Sequence, residues 1–256
     1  MIHDSLNASV LRQFLGKHAD GMQIQALKSC PSTNTLARET ALDAPRQPIL
    51  ITAEQQTAGR GRLGRQFHSP SGSGVYFSLL YPLNDALPSA VSVTCAASVA
   101  VMRAIRRLTG LQVAIKWVND LLLDGKKICG ILTEAVTVGA QTSLIVGIGI
   151  NLRPCVFPDE IAQIAGSLNQ EELPRAELIA AVVSELIPFL QHPSDHSWLT
   201  DYRAHSCVLG RQILRVEEGV SLPCTAEAID DNGGLWVRHS DGRLELLQTG
   251  EISIRF

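Results

Sequence analysis

The sequence lacks the features that define several large classes of protein. Lysine and arginine number 22 against 25 aspartate and glutamate residues, so the net charge is −3 and the basic excess of a general nucleic-acid binder is missing. No Cys-x-x-Cys pair occurs among the six cysteines, which argues against a zinc site and favours buried free thiols in a reducing compartment. The G-x-S-x-G and H-E-x-x-H signatures of serine hydrolases and zinc proteases do not occur either.

Long apolar runs are equally scarce. The longest lies around residues 90–105 and is interrupted by Ser92, Ser98 and Arg103, so it predicts a buried helix rather than a membrane span. At the N-terminus no basic segment precedes an apolar run, so we expect no signal peptide. These absences together predict a cytoplasmic protein without a membrane partner.

Helical and strand patterns are present along most of the chain. Residues 6–15 have the apolar spacing of a helix, residues 22–29 alternate as a strand, and a long helix is predicted over 88–109. Several predicted strands follow one another without a helix between them, which disfavours a doubly wound parallel sheet. We therefore predict an α+β fold, in which a mixed, largely antiparallel β-sheet is flanked by helices and residues 158–205 are helical.

The last fifty residues have a different character. Gly- and Asp-rich turns separate short predicted strands near residues 211–217, 222–230, 234–239, 243–248 and 252–255. Short strands separated by tight turns at this spacing are typical of a small β-barrel. The predicted domains are therefore 1–205 and 206–256.

The loop sequence "AGRGRLGRQF", residues 58–67, combines three glycines with three arginines. Its G-x-G-x-x-G spacing does not indicate a dinucleotide-binding turn, because "EQQTA" separates it from the strand before and "RQFHSPSGSG" after it is not helical. Arginine supplies planar donors for phosphate or carboxylate, and glycine lets the backbone approach a ligand closely. A loop of this length is either functional or simply flexible and solvated, and the neighbouring motifs favour function.

The segment "KWVNDLLLDGKKICGIL", residues 116–132, predicts a hairpin turning at Asp124-Gly125. A two-residue turn pairs Leu122 with Lys127 and Asp120 with Cys129, which places Asp120 and Lys127 on one face and Lys126 on the other. Lys127 then either binds a substrate anion while Asp120 holds Mg²⁺, or it forms a structural pair with Asp120. The hairpin alone does not separate these two interpretations.

Two further motifs are ambiguous by themselves. Ser32, Thr33 and Asn34 suit a helix N-cap, and they equally suit a small polar ligand. The run "GIGINL", residues 147–152, indicates either tight packing or a ligand lying against the strand, and it includes Asn151.

In this order the motifs resemble those of biotin protein ligases: "STN" (32–34), "EQQTAGRGRLGRQF" (54–67), "KWVNDLLLDGKKICGIL" (116–132), "GIGINL" (147–152) and "AGSL" (165–168). The resemblance covers the chain from about residue 25 to the C-terminus. It implies a mixed sheet related to class II aminoacyl-tRNA synthetases and lipoate ligases, with a small SH3-like C-terminal β-barrel. Some members carry an N-terminal winged helix-turn-helix, for which about 25 residues are too few, so we expect the monofunctional ligase without DNA binding.

The resemblance also implies roles for individual residues. The catalytic cations would be Arg60, Arg62 and Lys127. The biotin site would comprise Ser32, Thr33, Asn34, Gln55, Arg60, Gly61, Arg62, Lys127 and Gly130. The nucleotide site would comprise Arg62, Arg65, Phe67, Asn119, Asp120 and Asn151, with Asp120 as a ligand of Mg²⁺.

The expected reaction consumes ATP with Mg²⁺ to convert biotin to biotinyl-5'-AMP, then transfers biotin to a lysine of a biotin carboxyl carrier protein. No tightly bound cofactor is expected, and the protein would be a monomer or a homodimer. A lipoate or octanoate ligase or transferase of the same fold is one alternative. A non-catalytic ligand-binding regulator is another.

Overall fold

Two β-sheets, described over residues 4–83, 88–217, 220–248 and 250–254 of a computed structural model, form the framework of the protein. The helices are α1 (Ala8–Leu15), α2 (Thr33–Ala41), α3 (Ala90–Thr109), α4 (Arg175–Gln191) and α5 (Trp198–Ala204). The first sheet contains β1 (Gln23–Cys30), β2 (Ile49–Gln56), β3 (Gly74–Pro82), β4 (Ala114–Lys116), β5 (Asp120–Leu123), β6 (Lys126–Val138) and β7 (Gln141–Asn151). The second contains β8 (Gln212–Glu217), β9 (Val220–Ile229), β10 (Leu235–His239), β11 (Leu244–Leu247) and β12 (Glu251–Ile254).

The first sheet has the order β1-β2-β3-β7-β6-β5-β4. Strands β1 and β2 are parallel, and the other neighbouring pairs are antiparallel. The predicted mixed, largely antiparallel sheet is thereby confirmed. The long central strands β3 and β7 are mostly apolar and nearly continuously buried, as expected of strands covered on both faces.

The helices are distributed unequally over the two faces of this sheet. Helices α1, α3 and α4 pack into the main core together with β3, β5 and β6. Helix α2 packs on the opposite face, where Ala37 and Ala41 contact Ile51, Leu80 and Ile145. Helix α2 has only nine residues and therefore covers only part of this face. Loops cover the part of the sheet beside its N-terminus.

Helix α3 illustrates how local signals set the helix boundaries. Ser89 accepts a hydrogen bond from the Ser92 backbone N–H at the start, and Gly110 adopts a left-handed conformation at the end. The helix therefore agrees closely with the range predicted from its apolar spacing. No helix of the described ranges is both long enough and apolar enough to cross a membrane.

The segment predicted to be helical over 158–205 is only partly so. Residues 175–191 and 198–204 are helical, whereas the residues before them are irregular. Pro158 and Pro174 explain the difference, because the residue before a proline is driven out of the α region and proline itself lacks the N–H that continues a helix. Pro174 lies at the N-cap of α4, so the helix begins where proline is tolerated.

The second sheet has the order β11-β10-β9-β8-β12, and its pairs are antiparallel. Its strands lie close to the predicted ranges, although residue 255 of the last predicted strand is outside the described residues. Over the residues that the structure describes, β11 and β12 do not pair with each other. Over these residues the sheet is not closed, while the predicted small C-terminal β domain is present: turn spacing locates strands but does not determine whether the edge strands meet.

The two sheets share one hydrophobic core. Buried residues of β8, β9 and β10, among them Ile213, Ala226 and Val237, belong to the same cluster as the core of α3 and α4. The indole N–H of Trp117, next to β5, donates a 2.9 Å hydrogen bond to the carbonyl oxygen of Gly233 in the β9–β10 turn. The domain boundary between residues 205 and 206 remains a prediction.

Candidate functional site

Three glycines form a flat surface on the face of the sheet that α2 covers only in part. Gly130 and Gly149 are paired neighbours on β6 and β7, and Gly147 lies two residues further along the same face. A Cβ atom at Gly147 would lie 1.8 Å from Asn34 Oδ1, and one at Gly149 would lie 2.6 Å from the Phe67 ring. Side chains from α2 and from the arginine loop (residues 57–73) therefore rest directly on the backbone of this glycine floor.

Polar side chains at the start of α2 form a buried network above Gly147. Both amide N–H groups of Asn34 are used, by the Leu132 carbonyl at 3.2 Å and by Glu134 Oε2 at 3.0 Å. The Asn34 Oδ1 atom lies 2.6 Å from the hydroxyl of Ser78, which is also 2.8 Å from the Thr33 hydroxyl. Since Asn34 Oδ1 is purely an acceptor, the single Ser78 proton belongs to it.

This geometry distinguishes Ser32 from Thr33 and Asn34. Ser32 occupies the N-cap position, but its side chain does not cap the helix, so the cap interpretation does not account for its hydroxyl. The Thr33 hydroxyl contacts Gln56 and Ser78, and the donors of Asn34 are taken. Among the described residues of this motif, Ser32 therefore keeps a hydroxyl suited to a ligand, while Thr33 and Asn34 organise the strands beneath.

The glutamine that joins this network is Gln56 rather than Gln55. Gln56 Oε1 accepts from both the backbone N–H and the hydroxyl of Thr33, at 2.9 and 3.2 Å. Its amide then donates to the hydroxyl of Ser69 at 2.9 Å. Gln55 instead donates to Ser29 on β1. Two glutamines are adjacent in the sequence, and the sequence alone does not determine which of their side chains faces α2.

The arginine loop forms a small hairpin over the glycine floor. The Phe67 N–H donates to the Gly59 carbonyl at 2.9 Å, and the Gly61 N–H donates to the Arg65 carbonyl at 2.7 Å. Arg60 and Gln66 are bridged between these contacts. The backbone of Gly61 thus helps to close the hairpin, while the side chain of Arg65 is exposed on its outer side.

Arg60 binds a carboxylate that the sequence-based prediction missed. Its two terminal nitrogens each lie 3.0 Å from an oxygen of Glu134, a bidentate contact. The Glu134 side chain is 17% exposed and that of Arg60 is 41% exposed. The available signal was a single charged residue within the apolar part of β6.

Arg62 points toward the other side of the site. It donates to Asn119 Oδ1 at 3.2 Å and to the Gly250 carbonyl at 3.0 Å. Asn119 in turn donates to the Ile131 carbonyl at 2.9 Å, beside the glycine floor. The structure therefore brings Arg62 and Asn119 together, as predicted, and adds a contact from the segment that precedes β12.

The hairpin around Asp124-Gly125 has the predicted turn but a shifted register. Both turn residues have positive φ angles, and Leu122 pairs with Lys127. An irregularity between Leu121 and Leu122 then pairs Asp120 with Gly130, so the predicted pairing of Asp120 with Cys129 is wrong. The bulge inserts one unpaired residue into β6, which strict two-residue counting does not anticipate.

Lys127 and Asp120 nevertheless meet. Lys127 Nζ lies 2.7 Å from Asp120 Oδ1, with 34% and 20% of the two side chains exposed. That oxygen is buried and accepts no well-aligned hydrogen bond from the described residues, so charge attraction rather than a directed hydrogen bond holds the pair. A Cβ atom at Gly130 would lie 3.2 Å from Lys127 Nζ, so the ammonium group borders the glycine floor, whereas Lys126 is exposed.

Asn151 supports Lys127 from outside the floor. Its amide donates to the Gly166 carbonyl at 2.8 Å, and Gly166 N–H donates to the Lys127 carbonyl at 2.9 Å. The Lys127 N–H donates to the carbonyl of Ile164 at 2.7 Å. Asn151 is 7% exposed, so the structure gives it a supporting contact on the 164–168 segment.

Phe67 covers the floor itself. Its ring is the nearest neighbour of Gly149 and also approaches Gly130, and it makes an edge contact with Tyr76, the centroids 6.4 Å apart. Burial raises the pKa of Tyr76 to about 12, so its hydroxyl stays protonated at neutral pH and donates to the Pro70 carbonyl. The aromatic pair gives the floor an apolar cover between its polar ends.

The described residues contain no cluster of three or more His, Cys, Asp or Glu side chains that could hold a metal ion. Asp120 is one carboxylate, already paired with Lys127. A Mg²⁺ ion that arrives on nucleotide phosphates needs only one or two protein carboxylates, and Asp120 could supply one.

The assembled site combines groups that suit an anion and an amide. Hydroxyl and amide groups lie at the N-terminus of α2, the Phe67 ring lies against the glycine floor, and Lys127 and Arg62 lie near Gly130 and Asn119. Cations held beside a closely approachable backbone stabilise negative charge that develops in a transition state.

Known proteins resemble this chain in both sequence and fold. The family described as biotin/lipoate A/B protein ligase matches residues 26–151. The biotin--[acetyl-CoA-carboxylase] ligase of Paracoccus denitrificans is 31% identical over 211 residues, which cover 75% of this chain and 85% of that protein. The bifunctional ligase/repressor BirA of Bacillus subtilis (strain 168) is 42% identical over 158 residues, 59% of this chain, and the chain spans about half of its length (49%).

A solved structure extends the likeness to nearly the whole chain. The biotin protein ligase from Aquifex aeolicus in complex with biotin and ATP has a TM-score of 0.75 and 26% identity, over 91% of this chain and 98% of that one. Motif order, sheet topology and sequence identity agree, and the chain belongs to the biotin protein ligases of the biotin/lipoate A/B protein ligase family.

Proposed function

We propose that this protein activates biotin with ATP to biotinyl-5'-AMP and then transfers biotin to a lysine of a biotin carboxyl carrier protein. The observation that carries this proposal is the glycine floor of Gly130, Gly147 and Gly149, with neutral donors and acceptors at one end, Lys127 and Arg62 beside it, and a Phe67 ring over it that a ligand would displace. Biotin has the matching form: a polar ureido ring, a flat apolar body and a carboxylate. The Aquifex relative, whose complex holds biotin and ATP, supports the same assignment.

In the first step the biotin carboxylate attacks the α-phosphorus of ATP and pyrophosphate leaves. Negative charge gathers on the phosphate oxygens, where Lys127 and Arg62 offer cationic donors. Lys127 has three N–H donors, so it can keep its contact with Asp120 and still reach the substrate. Ser32, Thr33 and Gln56 would hold the ureido ring, and the arginine loop would exclude water from the mixed anhydride.

In the second step the amine of the carrier lysine attacks the acyl carbon of the adenylate. An amide bond forms, the bond between the acyl carbon and the phosphate oxygen breaks, and AMP leaves as the lysine nitrogen loses its proton. Arg60 and Arg65 are exposed on the arginine loop, above the glycine floor. We propose that the carrier approaches there.

Biotin-dependent exchange of pyrophosphate into ATP tests the first step on the purified chain. We expect exchange that requires biotin, and the absence of exchange would refute the proposal. Tight biotin binding without exchange would instead favour a non-catalytic regulator. Mass spectrometry of a carrier domain incubated with ATP and biotin, lipoate or octanoate separates a biotin ligase from a lipoate or octanoate enzyme of the same fold.

Further aspects of the proposal concern partners and location. We propose that the protein works in the cytoplasm as a monomer or homodimer and does not bind specific DNA, since its net charge is −3. A gel shift at physiological salt with biotin and ATP checks the last point. Saturable, sequence-dependent binding at nanomolar protein would contradict it.

A further inference from the structure

Glu134 is a charged residue in the central sheet, and the proposed reaction gives it no role. It lies on β6, opposite Ile145, and its side chain is 17% exposed. One of its oxygens accepts from the buried Asn34 amide at 3.0 Å. Because Asn34 is itself fixed by Leu132 and Ser78, the carboxylate has a set position relative to the glycine floor.

The same carboxylate receives the arginine loop. Both terminal nitrogens of Arg60 bind it at 3.0 Å, and a bidentate contact fixes the plane of the guanidinium as well as its distance. The opposite end of the loop is fixed separately, since Ser69 binds Gln56 and the Phe67 carbonyl. Glu134 on Arg60, together with Asn119 on Arg62, therefore holds the first half of the hairpin through side chains.

After this contact Arg60 keeps three of its five N–H donors. A guanidinium docked in one plane presents these donors without the loss of side-chain entropy that a free arginine suffers on binding. Glu134 thus does not need to touch a substrate to affect its affinity.

We infer that Glu134 is a positioning residue that docks Arg60 and so preorganises the arginine loop for biotin. The inference rests on the proposed function for the identity of the ligand, but not for the state of the loop. It predicts that neutralising Glu134 releases the loop before any substrate is present.

Trypsin provides a direct assay of the ligand-free loop, because it cleaves after Arg60, Arg62 and Arg65. Glu134→Gln keeps the size of the side chain and removes its charge. We expect loop cleavage about 5- to 30-fold faster than in the wild type, and biotin binding measured by calorimetry weaker by a similar factor. The matched control is Glu39→Gln, the same change at an exposed position of α2, which should leave both quantities unchanged.

A double-mutant cycle separates positioning from a general loss of structure. In an Arg60→Gln background, Glu134→Gln should change neither cleavage after Arg62 nor the biotin dissociation constant. An equal effect in both backgrounds would overturn the inference, as would unchanged or tighter biotin binding by the single variant. Failure of the wild type to exchange pyrophosphate would refute the proposed function while leaving the proteolysis result intact.

Discussion

Replacing Lys127 with alanine should damage adenylate formation far more than folding. The lost group is an ammonium that borders the glycine floor and faces the predicted position of the carboxylate and phosphate. Loss of one charge-assisted contact in the transition state costs about 2–4 kcal/mol, which corresponds to a rate loss of roughly 30- to 1,000-fold. The backbone contacts of Lys127 with Ile164 and Gly166 do not depend on its side chain, so β6 should stay in place.

The stability cost of the same substitution follows from its ion pair with Asp120. Both side chains keep contact with solvent, 34% and 20% exposed, so the pair is worth less than a fully buried one. The buried Asp120 oxygen raises the cost somewhat, and we expect about 1–2 kcal/mol. For a chain of this size each kcal/mol lowers the melting temperature by about 2–4 °C.

Melting temperature and pyrophosphate exchange should be measured for Lys127→Ala and for Lys126→Ala, whose exposed side chain makes it a matched control. The control should melt within about 0.5 kcal/mol of the wild type and exchange normally. A Lys127→Ala protein that melts far lower but exchanges at near-normal rates would show that the lysine is structural. An inactive Lys126→Ala protein would show that the assigned face of the hairpin is wrong.

Three further predictions concern the loop, the floor and the N-terminal contact. Amide exchange of residues 59–65 should slow when biotin and Mg-ATP are added, and an unchanged rate would refute closure of the arginine loop over the ligand. Gly147→Ala should lower the melting temperature, because its Cβ would lie 1.8 Å from the fixed Asn34 amide. Gly149→Ala meets only a displaceable ring and should mainly weaken biotin binding. A larger loss of melting temperature in Gly149→Ala than in Gly147→Ala would contradict this account. Burial opposes ionisation of Asp4, but its contacts with Arg175 outweigh this and hold its pKa below the ordinary 3.8, so the stabilisation is complete above that pH and is lost as pH falls through the lowered value. A melting-temperature difference between wild type and Asp4→Asn that stays constant down to the most acid pH tested would refute it.

The fold was largely predictable because its signals are local. Apolar spacing located α3 and the central strands, and the Asp124-Gly125 pair specified its turn type. The errors arose where distant parts of the chain decide the outcome. Pairing of Asp120 with Gly130 depends on a bulge in β6. In the second sheet, whether the edge strands β11 and β12 meet depends on the whole sheet, and over the described residues they do not.

The site shows the same division between local and tertiary information. The chemistry of Lys127, Arg62 and Asn119 follows from their residue types. In the structure Arg62 contacts Asn119, and Lys127 contacts Asp120. The sequence does not single out Gln56 or Glu134. Gln56 lies beside another glutamine, and its role depends on Thr33. Glu134 is one carboxylate in a strand, and its role depends on Arg60, which approaches from elsewhere in the chain.

The hydrogen bond from Trp117 to the Gly233 carbonyl has a consequence for how the protein unfolds. The indole is buried in the core of the first sheet, while the carbonyl belongs to a turn of the second. The two sheets cannot separate without exposing that core to water and breaking the hydrogen bond of the indole. The two sheets should therefore melt as one cooperative unit, and a chain cut between residues 205 and 206 should leave two fragments that are stable only when they reassociate.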